Sequence, residues 1–106
     1  MILVIIKMTA LPAKRKELLQ TVQALIKAIS KEKGCTKCSA CQDIENENTF
    51  CMIQGWENQK ALNRYLQSDL FEVLLGTKNL MSEPWEISIK TVLSTNGIDS
   101  INKARR

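Results

Sequence analysis

A chain of 106 residues with 44% hydrophobic and 25% charged side chains makes one ordinary globular domain, too short for an enzyme that divides cofactor and substrate between two domains. Its net charge of +4 arises from 15 Lys and Arg spread along the chain against 11 Asp and Glu, without a dense basic tract, which argues against nucleic acid as a partner. Histidine is absent altogether, so Ser-His-Asp and Cys-His nucleophiles, histidine-bound haem and two-histidine metal sites are excluded.

The opening Met1-Ile2-Leu3-Val4-Ile5-Ile6 is apolar for six residues and then meets Lys7, too short for a signal core or a membrane span. A cytoplasmic protein without membrane attachment is expected, with its four cysteines kept as thiols. Residues 1–8 read as a central strand covered on both faces. After Pro12, Leu18, Leu19, Val22, Leu25, Ile26 and Ile29 recur at the helical period, which predicts an amphipathic helix over 12–33, stopped by Gly34.

Residues 36–43 and 49–56 read as two strands joined by the polar loop 44–48. Asn58 suits the cap of a second helix with Ala61, Leu62, Tyr65 and Leu66 inward, and Ser68 restarts a short turn ahead of Gly76. Residues 85–93 alternate apolar and polar as a last strand, which would place Trp85, Ile87 and Ile89 on the open face of the sheet. Residues 95–106 form a polar, basic tail or weak terminal helix beyond a domain over 1–94.

The order β-α-β-β-α-β is the ferredoxin-like unit, an α+β fold with a four-stranded antiparallel sheet and both helices on one face. The other face then needs cover, and a second copy of the chain is the expected partner.

If Asp43 pairs with Thr49, opposed residues sum to 92. Ala40 then faces Met52, Cys38 faces Gln54 and Thr36 faces Trp56, all on the face beneath the helices. In the same register Cys41 faces Cys51, either as two small buried thiols or as a redox-sensitive pair. Cys35-x-x-Cys38-x-x-Cys41 looks like a metal motif, but on a straight strand Cys35 and Cys41 share one face about 20 Å apart while Cys38 takes the other. Lys7, Lys37 and Lys90 read as isolated strand charges reaching for solvent.

Pro12-x-Lys14, Gly34-Cys35, the run Phe50 to Trp56, Ala61-Leu62 and Ser68-Asp69-Leu70-Phe71, in this order and spacing, resemble the antibiotic biosynthesis monooxygenase (ABM) domain, to about residue 94. The resemblance implies a dimeric α/β barrel in which two subunits join sheets and each keeps a pocket between its sheet and helices. There an electron-rich phenol or quinol reacts with O2 without flavin, metal or added cofactor. Many members of that family end the third strand in Glu-x-Trp and carry a histidine on the next helix; here the corresponding residues are Gln54-Gly55-Trp56 and Tyr65. The haem-degrading branch, which needs a proximal histidine, does not fit.

On this reading Trp56 walls the pocket and positions an aromatic substrate, Gln54 and Tyr65 hydrogen-bond it, and Cys38, Phe50, Met52, Leu62 and Leu66 complete the lining. Trp56 and Tyr65 have a plain alternative as core aromatics. Besides the cofactor-independent oxygenase, two further functions stay open: a non-catalytic dimer that binds a small hydrophobic metabolite, and a thiol redox sensor through Cys41 and Cys51.

Overall fold

Alternation along the first strand sets the layers of the molecule. In the computed structural model, which describes residues 1–106, β1 spans Ile2–Thr9; Ile2, Val4, Ile6 and Met8 are buried on one side, and Leu3, Ile5 and Thr9 are half-buried on the other. Branched apolar side chains at every second position fit a pleated surface. β1 is an inner strand of an antiparallel sheet of order β2-β3-β1-β4, with β2 at Cys35–Gln42, β3 at Thr49–Trp56 and β4 at Glu86–Thr91. The ferredoxin-like topology is therefore present as the element order implied.

The first helix is shorter than expected. Pro12–Lys14 makes a 3-10 turn, and α1 runs from Arg15 to Ser30, burying Leu18, Val22, Leu25 and Ile29. Gly34 then turns the chain into β2 at φ 86°, and a Cβ there would lie 2.4 Å from that of Ala61 on the next helix. Only glycine meets both demands at little cost. α2 (Gln59–Leu66) starts where Asn58 Oδ1 accepts from the Ala61 N–H at 2.9 Å, and α3 (Asp69–Gly76) where Ser68 Oγ accepts from the Phe71 N–H at 3.2 Å. A 3-10 turn, Thr77–Leu80, follows, and α4 (Ile98–Ala104) in the C-terminal segment has no buried residue. No helix is long and apolar enough to cross a membrane.

Two expectations about faces are corrected. β4 begins at Glu86, leaving Trp85 in the preceding loop, and it sets Ile87 opposite Ile6 and Ile89 opposite Val4. Opposed residues share a face, so both isoleucines lie on the helix side and not on the open side. They remain 48% and 54% exposed because the helices lie over β2 and β3. The open face has an apolar centre of Leu3, Ile5 and Ile53, bordered by Lys7, Lys37, Lys90 and Glu86. Lys7 is not isolated there, since its Nζ lies 3.9 Å from Glu86.

The second correction is a bulge. Cys41 faces Cys51, Ala40 faces Met52 and Cys38 faces Gln54 as the register predicts, but the pairing shifts between Cys35 and Lys37, so Cys35 and not Thr36 opposes Trp56. Gly55 admits the extra residue: a Cβ at this position would meet Thr36 Oγ1 at 2.4 Å. Cys35 thus joins Cys38 on the helix side, against the core, and does not share a face with Cys41.

Candidate functional site

Gln54 and Trp56 stand two residues apart on β3, so the strand period directs both side chains under the helices. α2 lays Tyr65 over them. The Tyr65 ring stacks on the indole with centroids 4.6 Å apart and planes at 23°, and Gln54, Trp56 and Tyr65 are all but completely buried. Trp56 Nε1 donates to Gln54 Oε1 at 3.2 Å, and Gln54 Nε2 donates to Tyr65 Oη at 3.1 Å and to Met52 Sδ at 3.3 Å.

The orientation of the Gln54 amide follows from its partners. An indole nitrogen only donates, so it must meet the amide oxygen, which turns the amide nitrogen toward Tyr65. Tyr65 consequently accepts, and its own O–H is the spare donor of the cluster. Burial pushes its phenol well above the usual tyrosine value; the Gln54 hydrogen bond opposes this in part, and smaller contributions from Cys38, Cys35 and Glu32 add to it. Tyr65 therefore stays protonated and supplies a donor, not a base. Burial also raises the Cys35 thiol, and it pushes Cys38 up to about 11 with a smaller contribution from Cys35.

The geometry brings the expected polar residues together but leaves no room beside them. None of the cavities opens on Gln54, Trp56 or Tyr65. The ring of Tyr65, at the helix position where the resemblance leads one to expect the smaller histidine, fills the space over the indole. Phe50, Met52 and Leu62 are core residues, and Cys38 and Leu66 are half-buried against that core; of these only Phe50 touches a cavity, one of about 150 Å³ between α1 and β2.

An open pocket of about 580 Å³ lies instead beside Trp85, lined also by Lys78, Met81, Ser82, Glu83, Pro84 and Ile87. Lys78 Nζ sits 5.6 Å from the centre of the Trp85 ring, and the Trp85 indole N–H is buried with no partner. Phe71 connects the two regions: it meets Tyr65 edge-on at 5.4 Å and Trp85 at 6.5 Å, so aromatic rings run without interruption from Trp56 to the pocket wall. Sequence reading placed Trp85 on a strand and missed this site. The adjacent Pro84, which favours a loop over a ladder position, was the available signal.

The four cysteines are free; Cys41 is exposed and Cys51 half-buried, so they are not the pair of buried thiols that the register suggested as one alternative. No group of three Cys, Asp or Glu side chains is arranged to hold a metal ion.

Comparison with known proteins agrees with this architecture. The family described as antibiotic biosynthesis monooxygenase matches residues 1–74, from β1 into α3. YcnE of Bacillus subtilis, named as a candidate monooxygenase, is 29% identical over 84 residues, covering 78% of this chain and 87% of its own. The uncharacterized Synechocystis protein sll1783 is 29% identical over 85 residues, and there the match covers 79% of this chain but only 58% of the relative's length. A conserved protein from Methanosarcina mazei Go1, solved by crystallography, superposes with a TM-score of 0.78 at 28% identity, over 84% of this chain and 89% of that one. The chain belongs to the antibiotic biosynthesis monooxygenase family.

Proposed function

We propose that the protein is a cofactor-independent monooxygenase that oxidises a small quinol or phenol with O2, receiving it in the pocket beside Trp85. The observation that carries this reading is the cation-faced ring of Trp85 on the wall of a pocket of about 580 Å³, joined to Trp56 through the edge-on contacts of Phe71 and the stacked Tyr65. A volume of that order suits one or two fused rings. The Trp85 face supplies the apolar contact, Lys78 favours the phenolate, and Ser82 Oγ, whose own hydrogen goes to the Thr9 C=O at 3.3 Å, can accept from a second phenolic O–H.

The substrate is its own reductant. A quinol and O2 give a hydroxyquinone and water, with one oxygen atom retained and the other leaving as water on the quinol's electrons. With neither histidine nor the Glu common in the family at position 54, ionisation depends on the substrate's own acidity, so the rate should rise with pH toward the substrate's pKa. A second copy on the open face, centred on Leu3, Ile5 and Ile53 with charged residues around them, fits the usual pattern of apolar core and polar rim.

Oxygen uptake with a panel of reduced quinones, against blanks without protein, tests the proposal, with Trp85→Ala expected to lose activity. Tight binding with no accelerated uptake would leave the non-catalytic binder. That second reading draws support from the Gln54–Trp56–Tyr65 cluster, whose side chains are bonded to one another and open on no cavity.

A further inference from the structure

The open face of the sheet carries a row, Cys41–Cys51–Lys7–Glu86, that runs from the β2 edge to the β4 edge. Its first two members are directly opposed thiols. Asp43 N–H donates to Thr49 C=O at 2.9 Å, which marks that pair as a hydrogen-bonded one, and no bulge intervenes before Cys41 and Cys51 two residues further on. Pairs of this kind hold their Cα atoms about 5.5 Å apart, inside the span of about 4.4–6.8 Å that a disulfide bridges. Both side chains leave the same side of the ladder, Cys41 is exposed, and β2 is an edge strand with a free side on which to adjust. The row lies beyond the apolar centre of Leu3, Ile5 and Ile53, alongside the exposed Lys7–Glu86 pair.

We propose that Cys41 and Cys51 are a redox site of the protein, closing to a reversible cross-strand disulfide when a peroxide or a low-molecular-weight disulfide reaches them. With hydrogen peroxide, one sulfur attacks a peroxide oxygen, the O–O bond breaks and water leaves, giving a sulfenic acid. The facing thiol then displaces a second water to form the S–S bond. Two thiols lose two electrons and two protons, and one peroxide becomes two waters. With a small disulfide, two exchange steps release two small thiols instead.

The other two cysteines make the site selective. Cys35 and Cys38 lie on the opposite face of β2, packed against the core, where burial holds both in the thiol form. A sulfur on one face of the sheet cannot meet a sulfur on the other.

The test uses the full chain, fully reduced, treated separately with hydrogen peroxide and with oxidised glutathione, then alkylated under denaturing conditions and analysed by intact mass and peptide mapping. Titratable thiols should fall from four to two, with a mass loss of two hydrogens, a crosslinked peptide pair containing Cys41 and Cys51, and full recovery on dithiothreitol. Cys41→Ser and Cys51→Ser should each abolish the paired loss, with all three remaining thiols persisting as thiols or as single adducts. Four unreacted thiols, a crosslink that includes Cys35 or Cys38, or a disulfide between two chains would overturn the proposal. The readout needs no substrate, so it fails or stands independently of the oxygenase.

Discussion

Replacing Gln54 with Leu tests the closed polar cluster. The substitution roughly keeps the volume but leaves the Trp56 indole N–H, now bonded at 3.2 Å, with no acceptor in a fully buried site. A stranded buried donor costs about 1–3 kcal/mol. Tyr65→Phe removes one acceptor from an amide nitrogen that keeps Met52 Sδ at 3.3 Å, so it should cost less, about 0.5–1.5 kcal/mol. Once position 54 is Leu, the Tyr65 oxygen has itself lost its partner, and Tyr65→Phe should then be neutral or stabilising. The double variant is therefore expected to be more stable than the two single losses predict, by about 1 kcal/mol or more. Urea unfolding with an unchanged slope measures all four proteins, and thermal midpoints should move by about 4–8 °C per kcal/mol in a domain of this size. Losses that add to within about 0.3–0.5 kcal/mol, or a Gln54→Leu variant as stable as the parent, would refute the cluster.

Gly34→Ala combines a left-handed backbone, about 1–2 kcal/mol for an L side chain, with a 2.4 Å clash on Ala61. It should lower the urea midpoint clearly, and Ala61→Gly should recover only the share due to the clash; an unchanged midpoint would count against this account. Stability should also decline in alkali. Cys38 and Tyr65 are acids whose folded pKa lies above the unfolded one, so the folded state holds its protons longer and is progressively disfavoured as pH climbs past 9.0 for the thiol and past 10.0 for the phenol. Cys38→Ala should flatten the lower part of that decline and Tyr65→Phe the upper part, read from urea midpoints across the range; parallel profiles for all three proteins would contradict it. The proposed pairing of two copies predicts that the parent sediments as a dimer and that Ile53→Asp, at the apolar centre of the open face, sediments as a monomer with its circular dichroism retained; a monomeric parent or an unchanged mass in the variant would contradict it.

Much of the fold could be read from local chemistry. The apolar run of β1, the helical spacing from Leu18 to Ile29 and the cap at Asn58 all act within a few residues, and they stand where the pattern placed them, while the short turn read after Ser68 is an eight-residue helix capped by that serine. The β2–β3 register was legible as far as Cys38, because a fixed sum carries along a regular ladder. It broke at Thr36, where Gly55 on the neighbouring strand admits one more residue, a signal that belongs to the pair of strands and to neither alone. The face of Ile87 and Ile89 was misread because period two shows which residues share a side but not which side the helices cover. For the site, Trp56, Gln54 and Tyr65 do meet, yet whether three side chains leave a hollow between them depends on ring packing that no spacing rule contains.

The extra residue in β2 divides the sulfur of the molecule into an inner and an outer population. On a straight ladder Cys35 would face outward with Cys41, whereas the kink at Thr36 turns it in beside Cys38 and leaves Cys41 with Cys51 outside. Because Thr36 bulges out of the pairing, Cys35 holds the place it would have if Thr36 were deleted, opposite Trp56 and on the same side as Cys38. The chemical sorting of four otherwise similar side chains thus rests on a local irregularity of the backbone and on a glycine across the strand that makes room for it.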